Sequence, residues 1–168
     1  MRPLLTVMMA CFVVGIAMPA RAQETMPVAL TGKMQPFSYL FGNPWSCTTN
    51  VPAMGNMPAH TDQGPAVFQA GPGNTVHGHV STPNFMGDYY YGYSDRSNMY
   101  WETSADNMGG YGFRTSTDGK TYSGNTSMGP MTAPTTITYA KVTDERVTIH
   151  EVVSAAGQQS VFDSVCTR

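Results

Sequence analysis

Histidines and methionines in two short stretches are the residues of this sequence best suited to bind a metal. His77 and His79 are separated by one residue, so in a β-strand both imidazoles lie on the same face. Met54 and Met57 form a Met-x-x-Met motif, and thioethers beside imidazoles suit monovalent copper. These four residues form the candidate metal site. In the alternative interpretation, the histidines are polar residues of an outer face and the methionines are apolar residues of a loop over a pocket.

Aromatic residues concentrate in the middle of the chain and could line a binding pocket. In the strands of a small barrel, alternate members face inward and bring hydroxyl groups to an apolar interior. The same residues could instead fill the core or pair across the outer surface. Arg96 and Arg114 could meet an acidic group of a ligand, although surface positions are expected for both. The candidate ligand-binding residues are Trp45, Tyr91, Tyr93, Trp101, Tyr111 and Phe113.

Motifs of the common catalytic classes are missing from the sequence. There is no Gly-x-Ser-x-Gly and no phosphate-binding loop. The stretch from His150 to Ser154 lacks the second histidine of a zinc protease. We therefore predict that the protein is not an enzyme and has no catalytic residues.

Residues 1–22 have the pattern of a secretory signal peptide. Arg2 precedes an apolar run from 4 to 18, and Ala20-Arg21-Ala22 fits an A-x-A cleavage site. The run is shorter than the roughly 20 apolar residues that a membrane-spanning helix needs, and no second run follows. We predict export to the periplasm or the medium, with no membrane insertion after the signal is removed.

The mature chain predicts one domain without affinity for nucleic acid. Removing 22 of the 168 residues leaves 146, enough for a single domain. Arg2 and Arg21 leave with the signal, so seven basic residues face eleven acidic ones, a net charge of −4. Nucleic-acid binding would instead require a basic patch. The predicted organisation is an extended lead-in over 23–34 and a barrel domain over 35–168.

Two of the three cysteines, Cys47 and Cys166, remain after Cys11 leaves with the signal. An even pair in an oxidising compartment predicts one disulfide. One cysteine lies in the first predicted strand and the other in the last. Those two strands should therefore be neighbours, as they are in a closed barrel.

Strand-like segments separated by turn residues fill the chain from Trp45 onwards. Seven follow one another at short spacing after residue 87, which is typical of an antiparallel up-and-down meander. A short helix is predicted between Pro36 and Gly42, and a loop over 50–64. The fold class is all-β, a single antiparallel barrel of about 8–10 strands with a short N-terminal helix and one disulfide. The predicted strands are 45–49, 66–70, 75–81, 88–93, 99–104, 110–116, 121–127, 135–142, 146–154 and 159–166.

Four motifs are distributed along the predicted domain: Phe37-x-x-Leu40-x-Gly42-x-x-Trp45-x-Cys47, Tyr91-x-Tyr93-Ser94-Asp95, Asn107-x-Gly109-Gly110-Tyr111 and the terminal Cys166. Together they resemble small exported bacterial proteins of uncharacterised function with a calycin-like pattern. The resemblance implies a barrel of the lipocalin, fatty-acid-binding or nitrobindin kind. A nitrobindin-like barrel would hold haem through a late histidine, for which His150 is the candidate.

These patterns lead to one functional hypothesis and two alternatives. The hypothesis is an exported barrel that binds or carries a small apolar molecule, by analogy with the fold. The first alternative is a periplasmic copper- or haem-binding protein that uses methionine and histidine. The second is a cell-envelope protein with a filled barrel that acts through a tyrosine-rich outer face. The sequence specifies neither a cofactor nor an oligomeric state.

Overall fold

A computed structural model describes residues 29–168, and the predicted signal peptide lies outside these residues. Ten strands account for most of the described chain and confirm the predicted all-β class. A 3-10 helix, Gly32–Leu40, precedes them and is called the N-terminal helix below. The strands are β1 (Trp45–Val51), β2 (His60–Gly71), β3 (Thr75–Ser81), β4 (Met86–Ser94), β5 (Met99–Asp106), β6 (Tyr111–Ser116), β7 (Thr121–Met128), β8 (Met131–Thr143), β9 (Arg146–Ala155) and β10 (Gln158–Thr167).

Every strand pairs antiparallel with its neighbours in the sequence, and β1 pairs with β10 to close the barrel. Cys47 and Cys166 are direct partners across this closing pair, with Cα atoms 4.0 Å apart, and their sulfurs are bonded. The predicted up-and-down topology, the disulfide and the contact between first and last strands are thus confirmed. A disulfide of this kind is typical of proteins in oxidising compartments outside the cytosol.

The strand β2 begins earlier than the sequence predicts. Residues 60–64 were expected to continue the loop after β1, because their polar side chains and glycine resemble a turn. They pair instead with β1, so that Gly64 lies opposite Cys47. A Cβ at Gly64 would lie 1.9 Å from the carbonyl oxygen of Ser81, so glycine allows the backbones to approach closely here.

The connections between strands fall into two groups at opposite ends of the barrel, because each strand reverses the chain direction. The helix end carries the N-terminal helix and the turns β2–β3, β4–β5, β6–β7 and β8–β9. The open end carries the connections β1–β2, β3–β4, β5–β6, β7–β8 and β9–β10. Side chains with different functions can therefore lie at opposite ends of the barrel.

The N-terminal helix closes the helix end of the barrel. It begins at Gly32, before the predicted start at Pro36, and two hydrogen bonds between Thr31 and Asn74 hold its beginning on the β2–β3 turn. Met34 is fully buried among the barrel residues Val76, Tyr91 and Tyr122. Within 29–168, no helix has the length and apolarity needed to cross a membrane.

Trp45 joins the first strand, the helix and the C-terminus. Its indole Nε1 donates a hydrogen bond to the carbonyl oxygen of Leu40 at 2.9 Å, and the ring of Tyr39 lies edge-on against it. The guanidinium of Arg168 lies 4.5 Å from the indole centroid and donates to the carbonyl oxygen of Phe41. The indole is buried, so the aromatic residues before β1 stabilise this seam of the barrel.

Candidate functional site

The barrel encloses a cavity of about 1340 Å³ that reaches from the N-terminal helix to the open end. Small-molecule pockets usually have volumes of about 300–1,000 Å³, so this cavity is large enough for a ligand of that class. Phe37 and Leu40 of the N-terminal helix lie at its floor. Its walls include the apolar residues Phe68, Val80, Ile149, Val153 and Phe162.

Methionines surround the cavity at the open end. Met54 and Met57 exchange two backbone hydrogen bonds of 2.9 Å, which folds the β1–β2 connection into a tight turn. Met128 and Met131 are paired at the β7–β8 hairpin, and Met108 lies in the β5–β6 connection. We call these five residues, all of which line the cavity, the methionine rim. Thioether side chains are flexible and apolar, so they can adapt to ligands of different shapes.

A buried charged cluster crosses the middle of the interior. Glu102 in β5 and Arg114 in β6 are direct cross-strand partners and are 0% and 2% exposed. Arg114 Nη1 donates to Glu102 Oε1 at 2.8 Å and to Ser104 Oγ at 3.3 Å. Its Nη2 donates to Thr126 Oγ1 and, at 3.5 Å, to Glu151 Oε1 of β9. One guanidinium therefore faces two carboxyl groups.

Tyrosines extend this polar cluster towards the helix end. The Tyr139 hydroxyl lies 3.2 Å from Glu102 Oε2 and 3.1 Å from the Tyr91 hydroxyl. Tyr91, Tyr122 and Tyr139 contact one another edge-to-face, with ring centroids 5.8 to 6.3 Å apart. Burial raises the pKa of the Tyr91 and Tyr139 hydroxyls well above the ordinary value. Both hydroxyls therefore stay protonated and serve as neutral hydrogen-bonding groups.

The two glutamates of the cluster differ in their access to the cavity. Burial raises the pKa of Glu102 to about 7, against the opposing effect of Arg114. Burial also raises the pKa of Glu151, again opposed by Arg114. The Glu151 side chain is nevertheless 27% exposed and lines the cavity, so its exposure is to the cavity space. Glu151 is the carboxyl group of the pair that a ligand can reach.

The structure brings together only part of the predicted ligand-binding set. Trp45, Tyr91 and Tyr111 line the cavity, although Tyr111 lies at the open end and is 63% exposed. Tyr93 lies at the helix end, where its hydroxyl donates to Asn98 Oδ1 and its ring packs against Tyr100. Trp101 and Phe113 flank a shallow depression on the outer surface, where Phe113 is 59% exposed.

Trp101 lies outside the barrel because its strand places Glu102 inside. Successive side chains of a strand point to opposite faces, so the two residues cannot share one face. The indole lies across Gly92 of β4, where an added Cβ would be 2.3 Å from Trp101 Cζ2. Because Gly92 has no side chain, the indole of Trp101 can lie directly over it.

The predicted metal ligands lie in two separate places. His77 Nε2 and His79 Nδ1 both contact Asp88 Oδ1, at 2.8 and 3.1 Å, on a surface where His77 also stacks on Tyr90. Neither histidine lines the cavity, whereas Met54 and Met57 belong to the methionine rim. In the part of the chain that the structure describes, no group of three or more His, Cys, Asp or Glu residues could hold a metal ion.

The candidate haem ligand, His150, does not lie beside the cavity. Its Nδ1 is 2.7 Å from Asp163 Oδ1, and both side chains are more than half exposed. Among the histidines of residues 29–168, His60 alone lines the cavity, and it does so at the open end. The interior residues therefore do not fit a haem group with an axial histidine.

The charged cluster is the main part of the site that the sequence reasoning missed, and the expected surface position of Arg114 is wrong. The turn motif from Asn107 to Gly110 could have predicted the pairing of the two charged residues Glu102 and Arg114. A symmetric hairpin centred on Met108 pairs residue 102 with residue 114, which have opposite charges. Such a cross-strand pair is stabilising when both residues share a face.

Comparison of the sequence with family models and curated proteins identifies no relative of this chain. No protein-family model matches the sequence, and no curated protein is significantly similar to it. Its fold and interior define the class of protein, a closed ten-stranded antiparallel barrel with a large cavity and a buried charged cluster.

Proposed function

We propose that the protein is an exported binding protein that holds a small molecule with an apolar body in the barrel cavity. The observation that carries the proposal is the cavity of about 1340 Å³, closed by the N-terminal helix and surrounded by the methionine rim at the other end. The ligand would enter and leave at the open end. The signal-like residues 1–22 and the disulfide support a location in the periplasm or the medium.

The apolar walls supply the driving force for binding. Burial of apolar surface contributes roughly 25 cal/mol per Å², so a ligand that loses roughly 300 Å² of apolar area gains roughly 7.5 kcal/mol before the costs of association. Phe68, Ile149 and Phe162 provide such surface from three different strands. The proposal assigns binding and no reaction to the cavity.

The hollow interior favours this proposal over the filled-barrel alternative. A barrel that acts only through its outer surface needs no internal space, and tight packing would make it more stable. Among residues 29–168, the copper alternative retains the methionine rim as its clustered donors, since His77 and His79 lie elsewhere. The calycin resemblance stays a prediction that is consistent with the closed barrel.

Native mass spectrometry of protein exported by its own host is the direct test. We expect an additional mass of a few hundred daltons that disappears on denaturation. An additional mass of one copper ion would instead support the metal alternative. Protein without any additional mass, which also fails to bind neutral apolar compounds, would contradict the proposal.

A bulky side chain inside the cavity should reduce binding, while the same side chain outside should not. Ser164 lines the cavity and its neighbour Val165 faces outward. We expect Ser164→Trp to weaken binding of the neutral fluorescent compound N-phenyl-1-naphthylamine by about tenfold or more, equivalent to about 1.4 kcal/mol. Val165→Trp is the matched control and should bind like the wild type. Equal effects in both variants would place the binding site outside the barrel.

A further inference from the structure

Carboxylates outnumber cations in the half of the cavity that leads to the open end. Asp62, Asp106 and Glu151 line this half, and Glu102 accepts a hydrogen bond from Arg114. Arg114 is the single lysine or arginine among these lining residues, since Lys120 and Lys141 belong to the helix end. His60 lies 3.8 Å from Asp62 at the rim.

Arg114, the one cation of this half within residues 29–168, has both terminal nitrogens occupied, and only its buried Nε lacks a hydrogen-bond partner. Both terminal nitrogens of Arg114 donate to carboxylate or hydroxyl oxygens of Glu102, Ser104, Thr126 and Glu151. A ligand anion would have to compete with two carboxyl groups for the same guanidinium. Like charges brought together beside buried groups repel more strongly than in water, so the cluster disfavours an anionic ligand.

Glu151 still has capacity for a positively charged ligand. Its Oε1 has only the long 3.5 Å contact with Arg114, and its Oε2 has no hydrogen-bond partner among residues 29–168. The side chain lies at the cavity surface, where a ligand can replace solvent around it. A carboxylate with an unused oxygen is a strong partner for a cation once the ligand has displaced that solvent.

Aromatic residues line the cavity on both sides of this carboxyl group's position: Phe162 of β10 is the direct cross-strand partner of Glu151, and further rings lie on the opposite wall. Tyr89, Tyr91 and Phe85 line the cavity, and the charge of Glu151 contributes to the raised pKa of the Tyr89 hydroxyl, so the two groups are electrostatically coupled. The faces of aromatic rings attract cations, most strongly at sites removed from water. Thioethers of the methionine rim and the apolar walls suit an uncharged, apolar remainder of the same ligand.

We infer that the ligand is an amphipathic organic cation, whose protonated amine or quaternary ammonium group contacts Glu151 while its apolar body fills the cavity towards Phe68 and Ile149. This inference rests on the proposed function and specifies the chemical class of its ligand. It requires three features in one cavity: the accessible carboxyl group, the aromatic walls and the apolar volume. The structure provides all three in one cavity.

Three probes with the same ten-carbon chain separate charge preference from apolar binding. Titration calorimetry would compare decyltrimethylammonium, 1-decanol and decanoate, each below its aggregation concentration. We expect the cation to bind at least about tenfold more tightly than the alcohol, and the anion to bind more weakly than the alcohol. Equal binding of the three probes, or tightest binding of decanoate, would overturn the inference while leaving the proposed function intact. Absence of binding by all three would contradict both.

Glu151→Gln should remove the preference for the cation. The amide keeps the size of the side chain and a contact with Arg114, so we expect 1-decanol to bind as in the wild type. Glu151→Asp restores the charge and should recover part of the preference. Glu145→Gln, at the exposed β8–β9 turn, changes the net charge equally and should have no effect. A cation preference that survives in Glu151→Gln would contradict the assignment of this carboxyl group.

Discussion

Arg114→Leu is expected to lower the free energy of unfolding by about 3–5 kcal/mol at pH 7.5, because removing one partner of a buried ion pair leaves an uncompensated charge. The substitution leaves Glu102 and Glu151 inside the barrel without their cation. Urea unfolding followed by circular dichroism would measure the change. Arg96→Leu, at the exposed β4–β5 turn, is the control and should cost less than about 1 kcal/mol.

The loss of stability caused by Arg114→Leu should increase with pH. The folded-state pKa of Glu102, about 7, lies above its ordinary value, so the folded protein binds more protons than the unfolded chain between about pH 4.5 and 7. Stability therefore falls as pH rises through this window, by up to about 1.4 kcal/mol per pH unit for one such group. Without Arg114 the pKa of Glu102 should rise further, so the fall should continue to higher pH, and at pH 5 the variant should approach the wild type. A loss independent of pH would indicate lost packing instead.

A second substitution distinguishes lost charge pairing from lost packing. Glu102→Leu combined with Arg114→Leu replaces the direct cross-strand pair by two apolar residues. Buried ion pairs replaced in this way are often neutral or stabilising. We expect the double variant to recover a large part of the stability that Arg114→Leu loses, with Glu151 and the tyrosines left as the remaining polar groups. Further destabilisation by the second substitution would contradict this account.

Removal of the disulfide should have the other large effect. The bond closes a loop with a sequence separation of 119 residues, and loop-entropy treatments give about 4–5 kcal/mol for loops of this length. We expect Cys47→Ala combined with Cys166→Ala to lower the free energy of unfolding by about that amount. The double alanine variant avoids free thiols, and chemical reduction of the wild type gives an independent comparison.

The barrel itself should survive this change. Five residue pairs join β1 to β10, and Trp45 stays anchored by the N-terminal helix and Arg168. The far-ultraviolet circular dichroism spectrum of the double variant should therefore remain that of a β-protein at room temperature. Loss of this spectrum, or a change in stability below about 1 kcal/mol, would contradict the expected role of the bond.

Local patterns predict much of this fold. The bounds of β3 agree with the prediction at both ends, because turn residues flank Thr75–Ser81 and valines alternate with polar residues within it. The early start of β2 could not be predicted, because residues 60–64 form a strand only through pairing with β1 and the close approach of Gly64 to Ser81. Such tertiary pairing overrides weak local preference.

The candidate site is less visible in the sequence than the fold. Alternation shows that residues 101 and 102 face opposite sides, but hydrophobicity alone places Trp101 inside and Glu102 outside. Which of the two residues faces inward depends on neighbouring strands. Gly92 leaves space for the indole on the outer face, and Arg114 neutralises the carboxylate on the inner face. Both belong to neighbouring strands, so the inward direction of Glu102 becomes clear only once strand register is known.

The closing pair of β1 and β10 has a consequence for how other proteins can recognise this one. Each strand already has a hydrogen-bonded neighbour on both sides. A peptide from a partner cannot add along a whole strand, because backbone unpaired on one side is confined to strand ends such as 158–162 of β10, which extends beyond β1. A protein partner would therefore contact mainly outward side chains or the connections at either end, and exposed residues such as Phe113 and Val142 provide surface of that kind.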